Sequence, residues 1–137
     1  MQTVQDILNK HPLKSQFKPN QIAELLTSIV ECGQTSTVCA DACLAEEMRN
    51  DLVRCIRLNQ DCADLCEVTA RILARQVQPD FALIRSQVQT LALACSACAR
   101  ECTSHASKHE HCRICSEACR RCENACNMFV KSIPGNA

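Results

Sequence analysis

Fourteen cysteines fall in this 137-residue chain, almost all at steps of three, four or seven. Residues three and four apart share one face of an α-helix, so this spacing gathers the thiols into stripes that would line an interior. Loops stapled by disulfides have no reason to keep helical phase. Cys32, Cys39 and Cys43 are followed 23 residues later by Cys55, Cys62 and Cys66, with Cys-Ala-Asp opening at Cys39 and again at Cys62, which makes an internal repeat. The second half carries Cys95, Cys98 and Cys102, then Cys112, Cys115, Cys119, Cys122 and Cys126 in alternating steps of three and four. Both halves therefore place cysteine at the a and d positions that leucine normally holds.

Two Gly and four Pro in the whole chain argue for long uninterrupted helices and against a sheet protein built on turns. With no Trp or Tyr and three Phe, a core of ordinary size would lack large side chains, so the thiols must fill much of it. Fifteen basic residues balance fifteen acidic ones. No charge excess points to a nucleic acid or an anionic membrane as a partner. The segment from Met1 to Lys14 has no apolar run of signal-peptide length and no paired arginines before one, so a cytoplasmic location is expected. Thiols stay reduced there. Helical neighbours also lie about 5 to 6 Å apart at Cβ, wider than a disulfide wants. No stretch reaches transmembrane length.

The predicted fold is all-α, an antiparallel up-and-down four-helix bundle with a short extra N-terminal helix. Residues 1–18 form that short helix, from about Val4 to Lys10, and a linker; residues 19–133 form the cysteine-lined bundle. The long helices are expected from about Asn20, as a cap, to Glu47; from Asn50 or Asp51 to Gln76; from an Asp80 cap to near Ala106; and from about Lys108 to Ser132. Antiparallel packing then brings Cys43, Cys55, Cys102 and Cys112 to one end. Toward the other end the same stripes turn apolar, through Ile22, Leu25, Ile29, Leu73, Ile84, Val88, Leu91 and Phe129. This predicts a thiol-lined chamber with a hydrophobic plug below it. Met48 and His105, His109 and His111 fall in the connections at the open end, where thioether and imidazole could pass a soft metal inward.

A few buried cysteines can serve as small hydrophobes, but a whole seam of them loses apolar volume at a cost of roughly 1 kcal/mol or more per site. Metal binding repays that loss. Cu(I) is soft, accepts few ligands and is selected by thiolates, and pairs such as Cys62 with Cys66 or Cys115 with Cys119 suit two-coordinate capture between helical turns. If thiolates bridged ions, capacity could approach roughly one Cu(I) per cysteine. The alternatives are a zinc, iron-sulfur (ferredoxin-like) or thiol redox protein. Cys95-x2-Cys98 and Cys112-x2-Cys115 match zinc knuckles by spacing but not by helical phase. The bacterial ferredoxin run and the haem-attachment segment are both absent. Nothing singles out one thiol as a nucleophile, so no enzyme activity is expected. Arg120, Arg121 and Glu123 read as solvated surface, and the repeated Asp41 and Asp64 as exposed or paired.

The runs Cys39-Ala-Asp-Ala-Cys43-Leu, Cys55-Ile-Arg-Leu-Asn-Gln-Asp-Cys62-Ala-Asp-Leu-Cys66 and His109-Glu-His-Cys112-Arg-Ile-Cys115-Ser-Glu-Ala-Cys119-Arg-Arg-Cys122 closely resemble the cytosolic bacterial copper storage proteins, over about residues 20 to 131. The resemblance implies a homotetramer of four-helix bundles that holds many Cu(I) ions, with histidines near the mouth aiding uptake. Carried over by position, it implies Cys32, Cys39, Cys43, Cys55, Cys62, Cys66, Cys95, Cys98, Cys102, Cys112, Cys115, Cys119, Cys122 and Cys126 as metal ligands, and copper homeostasis as the role. The family's cysteine stripe usually continues where this chain has Leu25, Ile29, Ser36 and Leu91. A smaller capacity than the fuller members and a better-packed apo fold are therefore expected.

Overall fold

The computed structural model describes residues 1–135. Among them are five α-helices and no strand: α1 Gln2–Lys10, α2 Pro19–Leu44, α3 Val53–Ala74, α4 Phe81–His105 and α5 Glu110–Val130, with a 3-10 turn at Arg49–Leu52 before α3. Helices α2 to α5 form the expected antiparallel bundle. Each packs on its neighbours in the order α2, α3, α4, α5 and back to α2, and the diagonal pairs make no close backbone approach.

The stripes that bury the bundle have seven residues on α2 and α3 and six on α4 and α5, and step by three and four throughout. On α2 the buried stripe is Ile22, Leu25, Ile29, Cys32, Ser36, Cys39 and Cys43. It is continued across the ring by Leu52, Cys55, Asn59, Cys62, Cys66, Thr69 and Leu73 on and just before α3. Helix α4 supplies Ile84, Val88, Leu91, Cys95, Cys98 and Cys102, and α5 supplies the five cysteines from Cys112 to Cys126 and then Phe129. The apolar residues predicted to plug the lower end are all buried there. A helix-interior glycine, Gly33, sits at a close approach of α2 to α3: a Cβ at this position would lie 3.0 Å from the Cys66 Cβ.

The helix ends differ from expectation in ways that local chemistry explains. Helix α2 begins at Pro19 after Lys18 and is not capped by Asn20, because proline has no N–H to leave unpaired and its φ is already helical. It stops at Leu44, short of Glu47, where Ala45 and Glu46 tighten to bonds with the carbonyls of Ala42 and Cys43. Helix α3 ends at Ala74, since Arg75 is extended and the Gln76 side chain folds back to donate to the Leu73 carbonyl. Helix α5 starts at Glu110 with an extended His109 before it, and ends at Val130. Asp80 does cap α4, accepting from the Leu83 N–H at 3.0 Å.

The N-terminal segment closes the bundle from below. Ser15 donates to the Gln76 side chain, and Phe17 is buried against Phe81 and Phe129, with ring centroids 6.3 and 4.8 Å away. Helix α1 itself has no buried residue; it rests on the core through Val4 and Leu8. The plug should therefore carry much of the apo stability. Truncating the fully buried Leu91 to alanine should cost about 2–5 kcal/mol in urea unfolding of the reduced protein. The same change at exposed Leu93 should stay within about 0.5 kcal/mol.

Candidate metal centre

All fourteen cysteines are free and buried, and they run as one sulfur column from the plug to the open end. Cys32 is its hub, with its Sγ 3.8 Å from those of Cys62 and Cys119 and 4.0 Å from that of Cys95. Cys62 and Cys95 are themselves 3.8 Å apart. Four sulfurs, those of Cys32, Cys66, Cys95 and Cys122, lie within 4.8 Å of one another, as do those of Cys32, Cys62 and Cys119, of Cys98, Cys115 and Cys119, and of Cys39, Cys102 and Cys115. These separations let neighbouring sulfurs meet on a common ion after small rotations of χ1. In these sets Cys95 groups with Cys32, Cys66 and Cys122, while Cys98 groups with Cys115 and Cys119.

Three polar side chains interrupt the column at positions in phase with the cysteines. Ser36 lies 3.9 and 3.8 Å from the Cys115 and Cys119 sulfurs. Asn59 is fully buried; its Oδ1 accepts from Cys98 at 2.9 Å, Cys115 at 3.3 Å and Cys102 at 3.6 Å, and its Nδ2 donates to Cys55 at 3.8 Å. Its amide oxygen is thus a hard donor among soft ones. Thr69, lower down, accepts from Gln87 at 2.9 Å. Buried polar groups must be paired to be tolerated, and no buried side-chain nitrogen or oxygen among the described residues lacks a partner.

Packing thiols together sorts them into proton holders and proton acceptors. Hydrogen bonding to Cys119 pushes the Cys32 thiol well above its ordinary range. Cys119, receiving from Cys115 and Cys32, falls to about 5. Hydrogen bonds from Cys102, Cys112 and Cys115 lower Cys39. Nearer the mouth, burial and then the neighbouring Cys39 and Cys55 raise Cys43 to about 12. An ion entering the column must displace the protons held by raised thiols such as Cys32 and Cys43.

The open end is where protein charge meets the sulfurs. His111 Nδ1 lies 3.4 Å from the Cys39 sulfur and 3.6 Å from that of Cys112. With Cys39, Cys43 and Cys112 it forms a mixed nitrogen and sulfur set within 4.8 Å. Burial opposes protonation of His111, but hydrogen bonds with Cys39 and Glu46 outweigh it and raise its pKa. His109 is held by the same Glu46 carboxylate. His105 instead pairs with Glu101 on its own helix, at 2.8 Å. Met48 is 62 % exposed on the connection, outside the packed core.

Comparison with known proteins bears directly on this column. A family model described as copper storage protein matches residues 18–131. The chain belongs to the copper storage protein family. Its fold is that of a Streptomyces lividans copper storage protein whose structure carries 10 copper equivalents: TM-score 0.90, 41% identity, covering 94% of this chain and 98% of that one. A second structure, of a cytosolic copper storage protein from Streptomyces lividans with five coppers, matches with TM-score 0.81 and 43% identity over 86% of this chain and 96% of that one. The Cu(I)-bound copper storage protein BsCsp3 matches at TM-score 0.72 and 27% identity, over 80% of this chain and 98% of that one.

For a copper storage protein, the residues that sequence reasoning overlooked matter as much as those it found. Asn59 falls four residues after Cys55 and three before Cys62, so the period alone places it in the column. Glu46 and Glu101 gave no such signal, because their partners are set by the folded mouth. The pH dependence follows from these groups. A raised His111 is protonated, and its Nδ1 lone pair lost, at pH values where an ordinary imidazole would still be neutral; the raised thiols resist ionisation more strongly still. Copper uptake should therefore slow as pH is lowered from about 8 to about 6, with the loss already under way above the usual imidazole range. Stopped-flow ultraviolet absorption would check it, and a rate that rises on acidification would contradict this assignment.

Proposed function

We propose that this protein stores Cu(I) in the thiol column of α2 to α5, binding several ions at once and keeping free copper low. The observation that carries this reading is the burial of fourteen free cysteines, twelve of which converge in the overlapping sets of three and four described above. A soft monovalent ion that accepts two or three thiolates can occupy many such sets without moving the backbone, whereas zinc would want four ligands in separate closed sites. The fourteen cysteines from Cys32 to Cys126 are the ligands in this proposal. His111 and His109, with His105 and Met48 further out, make the route by which copper arrives. Residues 19–133 hold the copper and residues 1–18 close the lower end.

The setting proposed is the cytosol, as for the Streptomyces lividans relative; reducing conditions there keep the sulfurs available. No helix among the described residues is long and apolar enough to cross a membrane. We further propose that the protein works as a reservoir and not as a catalyst, since the column offers no single activated nucleophile, and that it assembles as a homotetramer. Copper ions are its partners, with no nucleic acid and no membrane.

Anaerobic titration of the reduced protein with Cu(I) tests the storage reading. Uptake should continue to roughly one ion per cysteine, somewhat fewer near the plug, giving a colourless protein with thiolate-to-Cu(I) ultraviolet absorption. Saturation at one or two ions, or visible absorption from iron after expression with mixed metals, would overturn it. Changing His105, His109 and His111 together should slow filling of the buried sets by about tenfold; an unchanged rate would remove the histidines from the route.

A further inference from the structure

Helix α2 stops at Leu44, and the tightened turn after it carries the Glu46 carboxylate across to the start of α5. There a single oxygen, Oε2, lies 2.8 Å from His109 Nδ1 and 2.9 Å from His111 Nε2. The two rings stack with centroids 5.5 Å apart. An ionised carboxylate can only accept hydrogen bonds, so each of those nitrogens must bear a proton. Glu46 is held ionised, because the hydrogen bond from His111 keeps its carboxyl below the usual range. In a neutral imidazole the other nitrogen is then a bare lone pair. For His111 this is Nδ1, which faces Cys39 and Cys112. For His109 it is Nε2.

We propose that Glu46 is a positioning residue that fixes opposite tautomers in two adjacent histidines, leaving His109 with a free Nε2 and His111 with a free Nδ1 that faces the first thiols. This rests on the reading that copper enters at this end, and deepens it by naming what makes the imidazoles ready to bind. Two stacked rings with unlike free nitrogens give a cation successive donors, and Glu46 adds a negative charge beside both. The arrangement is particular to Glu46. Another carboxylate of the mouth, Glu101, pairs with His105 Nε2 at 2.8 Å and lies 3.8 Å from Arg54 Nε, so a cation already shares it. His105 is in none of the hydrogen bonds to cysteine described above.

The Nδ1–H form required of His109 is the less common tautomer of an unconstrained imidazole, which makes it a sensitive marker. Long-range 1H–15N correlation spectra of the reduced, metal-free full chain, taken where both rings are neutral, should place the proton on Nδ1 of His109 and Nε2 of His111. In Glu46→Ala, His109 should revert mainly to Nε2–H, and uptake of Cu(I) from a weak chelator should slow by about tenfold. Glu46→Gln, whose amide oxygen can still accept, should restore much of both. Glu101→Ala should leave the His109 and His111 signals in place. Because Glu46 sits in an exposed turn, loss of the fold is not the expected effect, and the retained amide spectrum of Glu46→Ala would confirm this. The proposal is overturned if His109 keeps Nδ1–H in Glu46→Ala, or if the tautomers change while uptake stays within about twofold of the unsubstituted chain. Failure of the unsubstituted chain to take up any copper would be a different result, and would overturn the storage reading itself.

Discussion

The structure depends on keeping a column of sulfurs dry inside a bundle that has little else to hold it together. Thiols contribute less apolar volume than leucine, and the sequence has no tryptophan or tyrosine to make up the difference. The solution is a division along the bundle axis. Ile22, Leu25, Ile29, Val88, Leu91 and Phe129 pack as an ordinary core in the lower part, sealed beneath by Phe17, and the helices they fix project the cysteine stripes upward in register. Close helix approach at Gly33 brings α2 and α3 together beside Cys66. Sulfur-to-sulfur distances near 4 Å follow from that register, not from any interaction strong enough to impose them.

Burying so many titratable groups sets the chemistry. With every sulfur buried, each thiol settles its proton against its neighbours, and the result is a mixture of raised groups such as Cys32 and lowered ones such as Cys119 and Cys39. A soft cation resolves this frustration by replacing the shared protons with metal bonds. Charged and titratable side chains meet the column at the open end, where Glu46, Glu101, His105, His109 and His111 cluster. That polarity, buried sulfur below and charge above, is what the proposed route of copper from the open end rests on.

Much of this was legible in the sequence, because both the fold and the column rest on one period. Steps of three and four identify the helices, the inward faces and the apolar plug with the same residues. Helix ends were less legible: Asn20 looked like a cap, but Pro19 starts α2, and Gln76 folds back to end α3 two residues early. Asn59 was readable in principle, as a polar break in phase with a cysteine stripe, yet its role emerges only when Cys98, Cys102 and Cys115 from two other helices reach its oxygen. Glu46 was not readable at all. Its importance comes from a turn that carries it to a helix more than sixty residues away, which local pattern does not encode.

Storage requires the sulfurs to face inward and to receive copper there. Crystallographic anomalous scattering at the copper edge, on the reduced protein loaded anaerobically with Cu(I), addresses that most directly. The expected result is a line of copper peaks along the bundle axis, between the Cys32 hub and the Cys39, Cys43 and Cys112 mouth, each within bonding distance of two or more sulfurs. Copper confined to surface histidines, with the column vacant or bridged by disulfides, would contradict it.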